Sequence, residues 1–443
     1  MGTSVNVALP MIGTQFHLEA FTLSWVTTAY LLASVVCMVP LGRVADLYGR
    51  RRVFLVSLCL YGIASLLCGL APSAGFLIAW RVLQGVGGSM IFVAGTAIVV
   101  SLFPQAERGR ALGLLITSVY CGMSLGPVLG GLLAEHLGWR SIFFTTVPVA
   151  AATVALVVFR LRGEWVAAGR EPFDLPGTAL YAAMYSALIF GLTLLPAPRG
   201  ALFFAAGLAG VCLFVWRESV VAHPILDVRL FRTNRVFALS NLAALVNYSA
   251  TYAVAFLLSL YLQVVRGFSP DHAGVIILVQ PAVQALSSPF AGRLADRVDA
   301  RGPASAGMAL TAAGLLLLGT IHDATSTAFI VASLLVMGLG FGLFSSPNTH
   351  AVMSAVEPRI YGVASSTLST MRVTGQTLSM GIVTMILNAF IGSAAITPEV
   401  REPFVAAIRA AFLGFGLLCL AGILPSLARG GPRPLAAPEP DAA

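Results

Sequence analysis

No lysine occurs in the 443 residues; all 26 basic side chains are arginine. That absence reflects coding bias and carries no mechanism. Charge of either sign is scarce, at 10% of residues against about 25% in soluble domains. With 58% hydrophobic residues and a mean hydropathy of +0.90, a water-soluble fold is excluded. The six cysteines (Cys37, Cys59, Cys68, Cys121, Cys212, Cys419) all fall inside apolar runs. They show neither pairing nor metal-ligand spacing and read as small apolar core residues, so no metal and no cofactor is expected. No cleavable signal peptide is expected ahead of the first apolar run. The 18 acidic residues all fall in loops, at the ends of apolar segments or in the tail.

What is present is a series of apolar runs near the roughly 20 residues that cross a bilayer. Segments near 1–15, 21–41, 53–70, 76–99, 110–133 and 141–159 form a first group of six. A pair follows at 176–195 and 201–216. A second six lies near 236–263, 273–291, 303–321, 326–346, 362–389 and 405–427. The expectation is an all-α, polytopic membrane protein of about fourteen spans, arranged 6+2+6. Its parts are a six-helix half at 1–159, two extra helices with linkers at 160–235, a second half at 236–427 and a disordered tail at 428–443.

Between the second and third runs stands Gly42-Arg43-Val44-Ala45-Asp46-Leu47-Tyr48-Gly49-Arg50-Arg51-Arg52, with four arginines and one aspartate in eleven residues. A weaker copy, Gly292-Arg293-Leu294-Ala295-Asp296-Arg297-Val298-Asp299-Ala300-Arg301, occupies the corresponding place in the second six. Both read as short charged loops of a duplicated bundle. If the first copy is cytoplasmic and the spans alternate, inner loops and tail hold 19 of the 26 arginines and outer flanks five. By the positive-inside rule both termini are cytoplasmic. The net charge of +8 is thus a topology signal, and nucleic acid is excluded as a partner. The stretch 217–235 reads as an interfacial helix or loop with arginines placed for anionic headgroups.

The remaining two arginines, Arg81 and Arg372, lie inside spans. Embedded arginines cost about 2.5–3.5 kcal/mol on insertion scales and default to a functional role. Arg81 starts about a quarter of the way in from the outer face, where snorkelling is open to it; Arg372 starts near mid-span. Polar uncharged residues in the spans include Asn6, Gln84, Asn241, Asn247, Gln280, Gln284 and Asn348, with Tyr30, Tyr120, Tyr248 and Tyr252. Interhelical hydrogen bonds account for most of them; a subset is expected to line a central cavity suited to an amphipathic or cationic substrate. Two patterns mislead. Gly122-x-Ser124-x-Gly126 spells a nucleophile elbow, but it lies in an apolar helix with no histidine or acid embedded nearby. Asn247-Tyr248-Ser249 is a glycosylation sequon buried in a span.

The charged loop at 42–52, Arg81-Val82-Leu83-Gln84-Gly85-Val86-Gly87-Gly88 in span four, and Gly122-Met123-Ser124-Leu125-Gly126-Pro127-Val128-Leu129-Gly130-Gly131 in span five together resemble motifs of the major facilitator superfamily. Asn6-Val7-Ala8-Leu9-Pro10, Gly138 to Phe144, Phe173 to Gly177 and Met371 to Gln376 add to the likeness, which points to the fourteen-helix drug:proton antiporter branch of EmrB/QacA type. The resemblance implies a major facilitator fold and multidrug efflux across the cell's inner membrane. Small organic compounds and protons would be the partners within the lipid bilayer; a periplasmic adaptor is not readable. It implies coupling or cavity roles for Arg81, Gln84, Asn6 and Arg372. A gating motif would comprise Gly42, Asp46, Gly49, Arg50, Arg51 and Asp296, and an antiporter hinge Gly122, Gly126, Pro127, Gly130 and Gly131. The family carries an aspartate five residues before Asn6, where this chain has Met1; the expectation is that the chain begins downstream of the natural start, the alternative being a divergence that changes the coupling. Other readings are a metabolite transporter of the same fold with different coupling and a non-transporting sensor or assembly protein.

Overall fold

Lipid offers no hydrogen-bond partners, so a chain this apolar must satisfy its backbone internally, and helices do so within each segment. The computed structural model describes residues 2–104, 107–161, 163–165, 173–221, 224–226, 228–295, 297–357, 360–392, 394 and 400–430. Each predicted span is occupied by a long helix. The first six are α1 (Gly2–Phe16), α2 (Ala20–Tyr48), α3 (Arg50–Gly69), α4 (Ala74–Leu102), α5 (Arg108–Leu137) and α6 (Arg140–Arg160). The pair is α7 (Leu175–Leu194) and α8 (Pro198–Val220). The last six are α9 (Arg235–Val265), α10 (Pro270–Ala295), α11 (Arg301–Leu318), α12 (Thr327–Ser354), α13 (Tyr361–Ile391) and α14 (Arg401–Ala428). Among the described residues, eleven of them are long and apolar enough to cross a membrane; α1, α5 and α11 pack among these.

In the first group α4 packs on α2 and α3, and α1 on α5; in the last, α12 packs on α10 and α11, and α9 on α13. The groups meet along α5 with α10 and α2 with α13. The α7–α8 pair sits over the second seam. Tyr181 donates to the Val35 carbonyl of α2 (3.2 Å), and one turn later the Tyr185 hydroxyl is 3.0 Å from the Thr374 hydroxyl of α13.

The charged stretch at 42–52 is not a loop. Gly42 to Tyr48 end α2, Arg50 opens α3, and the turn is Gly49 alone. Its φ of +106° is a conformation that glycine adopts at no steric cost. The Glu164 carboxylate, on the chain just past α6, accepts from the Arg51 and Arg52 amides at 2.9 and 3.2 Å, capping α3 where its dipole favours an anion. A Cβ at Gly49 would lie 2.6 Å from that carboxylate.

The arginine-rich ends gather at one end of the bundle. There the Asp174 carboxylate accepts from the Gly177 amide at 3.0 Å as N-cap of α7 and takes a bidentate pair from Arg217 at 2.5 and 2.6 Å. Arg217 also donates to the fully buried Glu218 (3.2 Å), whose other oxygen holds the Leu226 amide (3.0 Å). The stretch 217–235 is tied to the α7–α8 pair at its start, where two carboxylates neutralise Arg217. Hydrogen bonding and the charge of Arg217 hold the Asp174 carboxyl below the usual carboxylate range. Its stabilisation is present at neutral pH and disappears as pH falls below about 4 through the lowered value. Asp174→Asn keeps the cap acceptor but loses the Arg217 ion pair, and should lower stability at pH 7 by about 0.5–1 kcal/mol and flatten the acid limb; thermal unfolding in detergent from pH 3 to 7 measures both.

Two expectations change. The tail expected over 428–443 does not begin there: Ala428 is the last residue of α14, and Arg429 is buried at 2% exposure because Asn348, Ser240 and the Ala300 carbonyl accept from it; residues 431–443 lie outside the described residues. Cys59, Cys121 and Cys212 are exposed and not in the core, since a small apolar side chain is as much at home against lipid as inside.

Candidate functional site

A cavity of about 400 Å³ lies between the two groups, within the size range of small-molecule sites. Its wall is made of helical stripes: Tyr30, Ser34 and Met38 on α2; Ser89, Phe92 and Thr96 on α4; Ser118 and Gly122 on α5; Ser365, Ser369, Arg372 and Gln376 on α13. Spacings of three and four put each set on one helix face, and these serines were the signal that sequence reading missed. Tyr248 and Tyr252 of α9 complete the middle. The lining runs from Gly2, Gly88 and Gly122 to Thr96, Met353 and Ser365, toward the arginine-rich end.

At the other end the groups close on each other. Gln263 donates to the Val7 carbonyl at 2.8 Å, Thr384 to the Ser24 hydroxyl at 2.8 Å, and the Ala20 amide to the Ala394 carbonyl at 3.3 Å. Gln263 sits in a π-helical turn, Tyr261–Val265, a local widening that recurs at functional positions.

Arg81 does not snorkel. It is 0% exposed, with Nε donating to the Val26 carbonyl at 2.9 Å, Nη1 to Gln84 Oε1 at 2.5 Å, and Cζ 4.4 Å from the Tyr30 ring centroid. Inward partners and a cation–π contact outcompete the interface. Gln84 passes the chain on to the Ser65 hydroxyl at 2.7 Å. The Arg81 Nη2 atom has no hydrogen-bond partner among the described residues. Arg372 faces the cavity from the other group, donating to the Thr349 hydroxyl at 2.8 Å with its Cζ 5.7 Å from the Tyr248 ring. Each group thus sets one guanidinium against a cavity-lining tyrosine.

Asn6 is buried beside this arrangement, accepting from Thr27 at 3.1 Å, and lines a smaller pocket with Gln280 and Gln284. Gln84, Asn241, Asn247 and Asn348 do not line the main cavity. Asn247 and Asn348 bond to neighbouring helices and Asn241 to its own backbone. The Tyr120 side chain and Met1 lie outside what is described.

The glycine motif of α5 divides by direction. Gly122 faces the cavity with nothing within 4 Å of an added Cβ. A Cβ on Gly126 would stand 2.0 Å from Thr3 Oγ1, and one on Gly130 2.6 Å from Ser4 Cα, both on α1. One on Gly131 would stand 2.5 Å from the Pro270 carbonyl of α10, while the Pro127 carbonyl would lie 2.4 Å from a Cβ on Gly274. Ser124, the false nucleophile, donates to the Pro281 carbonyl at 3.1 Å. The gating residues sit apart from the cavity centre. Asp46 takes Arg50 Nε at 2.9 Å and Nη2 at 2.7 Å; Arg50 Nη1 also reaches the Ala97 carbonyl at 3.2 Å and the Ser101 hydroxyl. Gly42 packs on α4, where its Cβ would meet Val93 at 3.0 Å, and Arg51 reaches the Val158 carbonyl of α6 at 3.4 Å. Asp296 lies outside the described residues.

The chain matches the Major Facilitator Superfamily over residues 1–380 and again over 240–442. It is 34% identical over 405 residues to the multidrug resistance protein Stp of Mycobacterium tuberculosis (strain CDC 1551 / Oshkosh), covering 90% of this chain and 74% of that protein. To the riboflavin transporter RibZ of Clostridioides difficile (strain 630) it is 30% identical over 392 residues, covering 88% and 84%. Its fold is shared with the solved structure of a bacterial homologue of the human drug peptide transporters, at a TM-score of 0.67 and 15% identity, covering 97% of this chain and 94% of that one. A two-group helical bundle around a central cavity and these matches have one meaning: this multi-pass membrane protein belongs to the Major Facilitator Superfamily and is a transporter, not an enzyme.

Proposed function

We propose that this protein exports small organic, drug-like compounds across the inner membrane in exchange for protons, its two halves rocking about the central cavity. One observation carries the reading: the cavity runs toward the arginine-rich end while Gln263–Val7 and Ser24–Thr384 seal the other. A site reachable from one side only is what alternating access requires. Arginine placement supports that end, and both termini, as cytoplasmic. Fourteen passes are supported by α1, α5 and α11 standing between the eleven apolar helices. The halves are then 1–159 and 236–427, with 160–235 an insert of EmrB/QacA type.

The wall favours a particular cargo. Tyrosines, Phe92 and methionines offer flat apolar contact, serines offer hydrogen bonds, and the charged side chain among the described lining residues is Arg372. Neutral or acidic aromatic compounds fit this wall better than the cationic substrates expected from the aromatic residues of the spans. The multidrug name of Stp supports drug-like cargo; the name of RibZ favours a second reading, a metabolite carried through the same cavity. Purified protein in vesicles loaded with a pH-sensitive dye tests the proposal. Adding an aromatic acid or neutral aromatic dye should move protons in proportion to substrate. Substrate flux without proton flux would overturn antiport, and no flux of any compound in the panel would overturn export.

In this reading Asp46, held here by Arg50, latches the cytoplasmic end onto the start of α13 when that end closes. A carboxylate near a helix N-terminus gains about 0.3–1 kcal/mol. Asp46→Asn should therefore shift the population two- to fivefold, as an order of magnitude, toward inward-open and slow export, with Asp296→Asn doing less. Spin-label distances across the cytoplasmic gap that stay unchanged in Asp46→Asn would exclude the latch.

A further inference from the structure

The second copy of the charged turn has lost its central cation. In the first copy Arg50 binds Asp46 and reaches across to the Ala97 carbonyl and the Ser101 hydroxyl, tying the α2–α3 turn to the fourth helix of its group. The position aligned with Arg50 in the second copy is Ala300, at the start of α11. A guanidinium is nevertheless present beside it. Arg429, one residue beyond α14, is buried with Nη1 donating to Asn348 Oδ1 at 3.0 Å and to the Ser240 hydroxyl at 3.2 Å, and Nη2 to the Ala300 carbonyl at 2.5 Å. Asn348 belongs to α12, the fourth helix of the second group, as Ala97 and Ser101 belong to α4.

The acceptors are prepared for this contact. Asn348 Nδ2 donates to the Ser240 carbonyl at 3.1 Å, which turns Oδ1 toward the guanidinium and joins α12 to α9. The last turn of α14 is pinned to α11 by Ser305 donating to Ser426 at 2.8 Å. Gly430, with φ +78°, then ends the helix in a conformation open to glycine. Burial lowers the Arg429 pKa to about 10, with Asp299 opposing the shift, so the group stays charged at neutral pH.

We propose that Arg429 is a positioning residue for transport: it supplies, from the end of α14, the cation missing at Ala300 and makes the ends of α9, α11, α12 and α14 move as one body. The proposal rests on the rocking mechanism, but its first readout does not. Hydrogen-exchange mass spectrometry and vesicle transport of an aromatic acid dye are measured on full-length wild type, Arg429→Ala, Arg429→Lys and Arg429→Ala/Ala300→Arg. Arg429→Ala should speed exchange in the first turns of α11 and the last turns of α12 by about tenfold. It should also cut the maximal transport rate by about fivefold at unchanged KM. Arg429→Lys should recover part of both, and Ala300→Arg, which places the cation where the first copy has it, should recover most. Unchanged exchange in Arg429→Ala, or no rescue by Ala300→Arg, overturns the stand-in. Restored exchange with a transport rate that never changed overturns the positioning role. If wild type itself moves no dye, the exchange data still decide the stand-in, and the failure falls on the export reading alone.

Discussion

Replacing Arg81 by alanine should bring transport down to the level of empty vesicles while leaving the amount of inserted, folded protein near normal. The expectation comes from a balance of terms. Burying the guanidinium opposes insertion by about 2.5–3.5 kcal/mol. Its bonds to the Val26 carbonyl and Gln84 return roughly 1.5–3 kcal/mol each, and the contact with Tyr30 adds about 1–2. Deleting the side chain removes both sides of this balance, so net stability should change by no more than a few kcal/mol. What is lost without offset is a fixed cation buried behind the cavity-lining Tyr30, whose Nη2 has no hydrogen-bond partner among the described residues. Arg81→Lys should fail as well, because an ammonium cannot hold Val26 and Gln84 in one plane. Dye efflux with protein quantified by fluorescence-detected gel filtration measures the two effects separately. Efflux by Arg81→Ala at the wild-type rate would remove Arg81 from the mechanism.

The second large effect is expected at the α5–α10 seam. Gly131→Leu should abolish transport, since its Cβ alone would stand 2.5 Å from the Pro270 carbonyl, a backbone atom with no rotamer to yield. Overpacking costs about 1–3 kcal/mol, and here the strain falls where the halves close. Gly122→Leu makes the same change nine residues earlier, into open cavity with nothing within 4 Å. It should keep stability within about 0.5 kcal/mol and reduce transport only of bulky substrates. Thermal unfolding and efflux of a small and a large dye distinguish the two. If Gly122→Leu destabilises more than Gly131→Leu, the division of the motif by direction is wrong.

Sequence determines less of these pairs than of the helices that carry them. The glycine–proline motif was visible as a motif, and its small residues announced close packing. Nothing in one dimension told that Gly126 and Gly130 meet α1, Gly131 meets α10 and Gly122 meets empty space. Likewise Arg81 and Arg372 stand out in the sequence as embedded charges, but hydropathy leaves a snorkelling path open to Arg81, and only its inward acceptors close it.

Helix positions, the charged turns, their repeat and the membrane class were decided by sequence alone, because water and lipid sort residues by charge, and a single arginine in lipid outweighs several apolar neighbours. Which face of each helix turns inward was decided only by the tertiary structure. Lipid is as apolar as a protein core, so hydropathy cannot separate the two sides of a span; Cys59 and Phe190 face outward and Cys68 and Phe237 inward from equally apolar runs. The cavity, assembled from serine and tyrosine stripes on helices far apart in the chain, follows from those choices. So do the seat of α7 across the α2–α13 seam and the return of Arg429 to Ala300, contacts made between residues 129 or more positions apart.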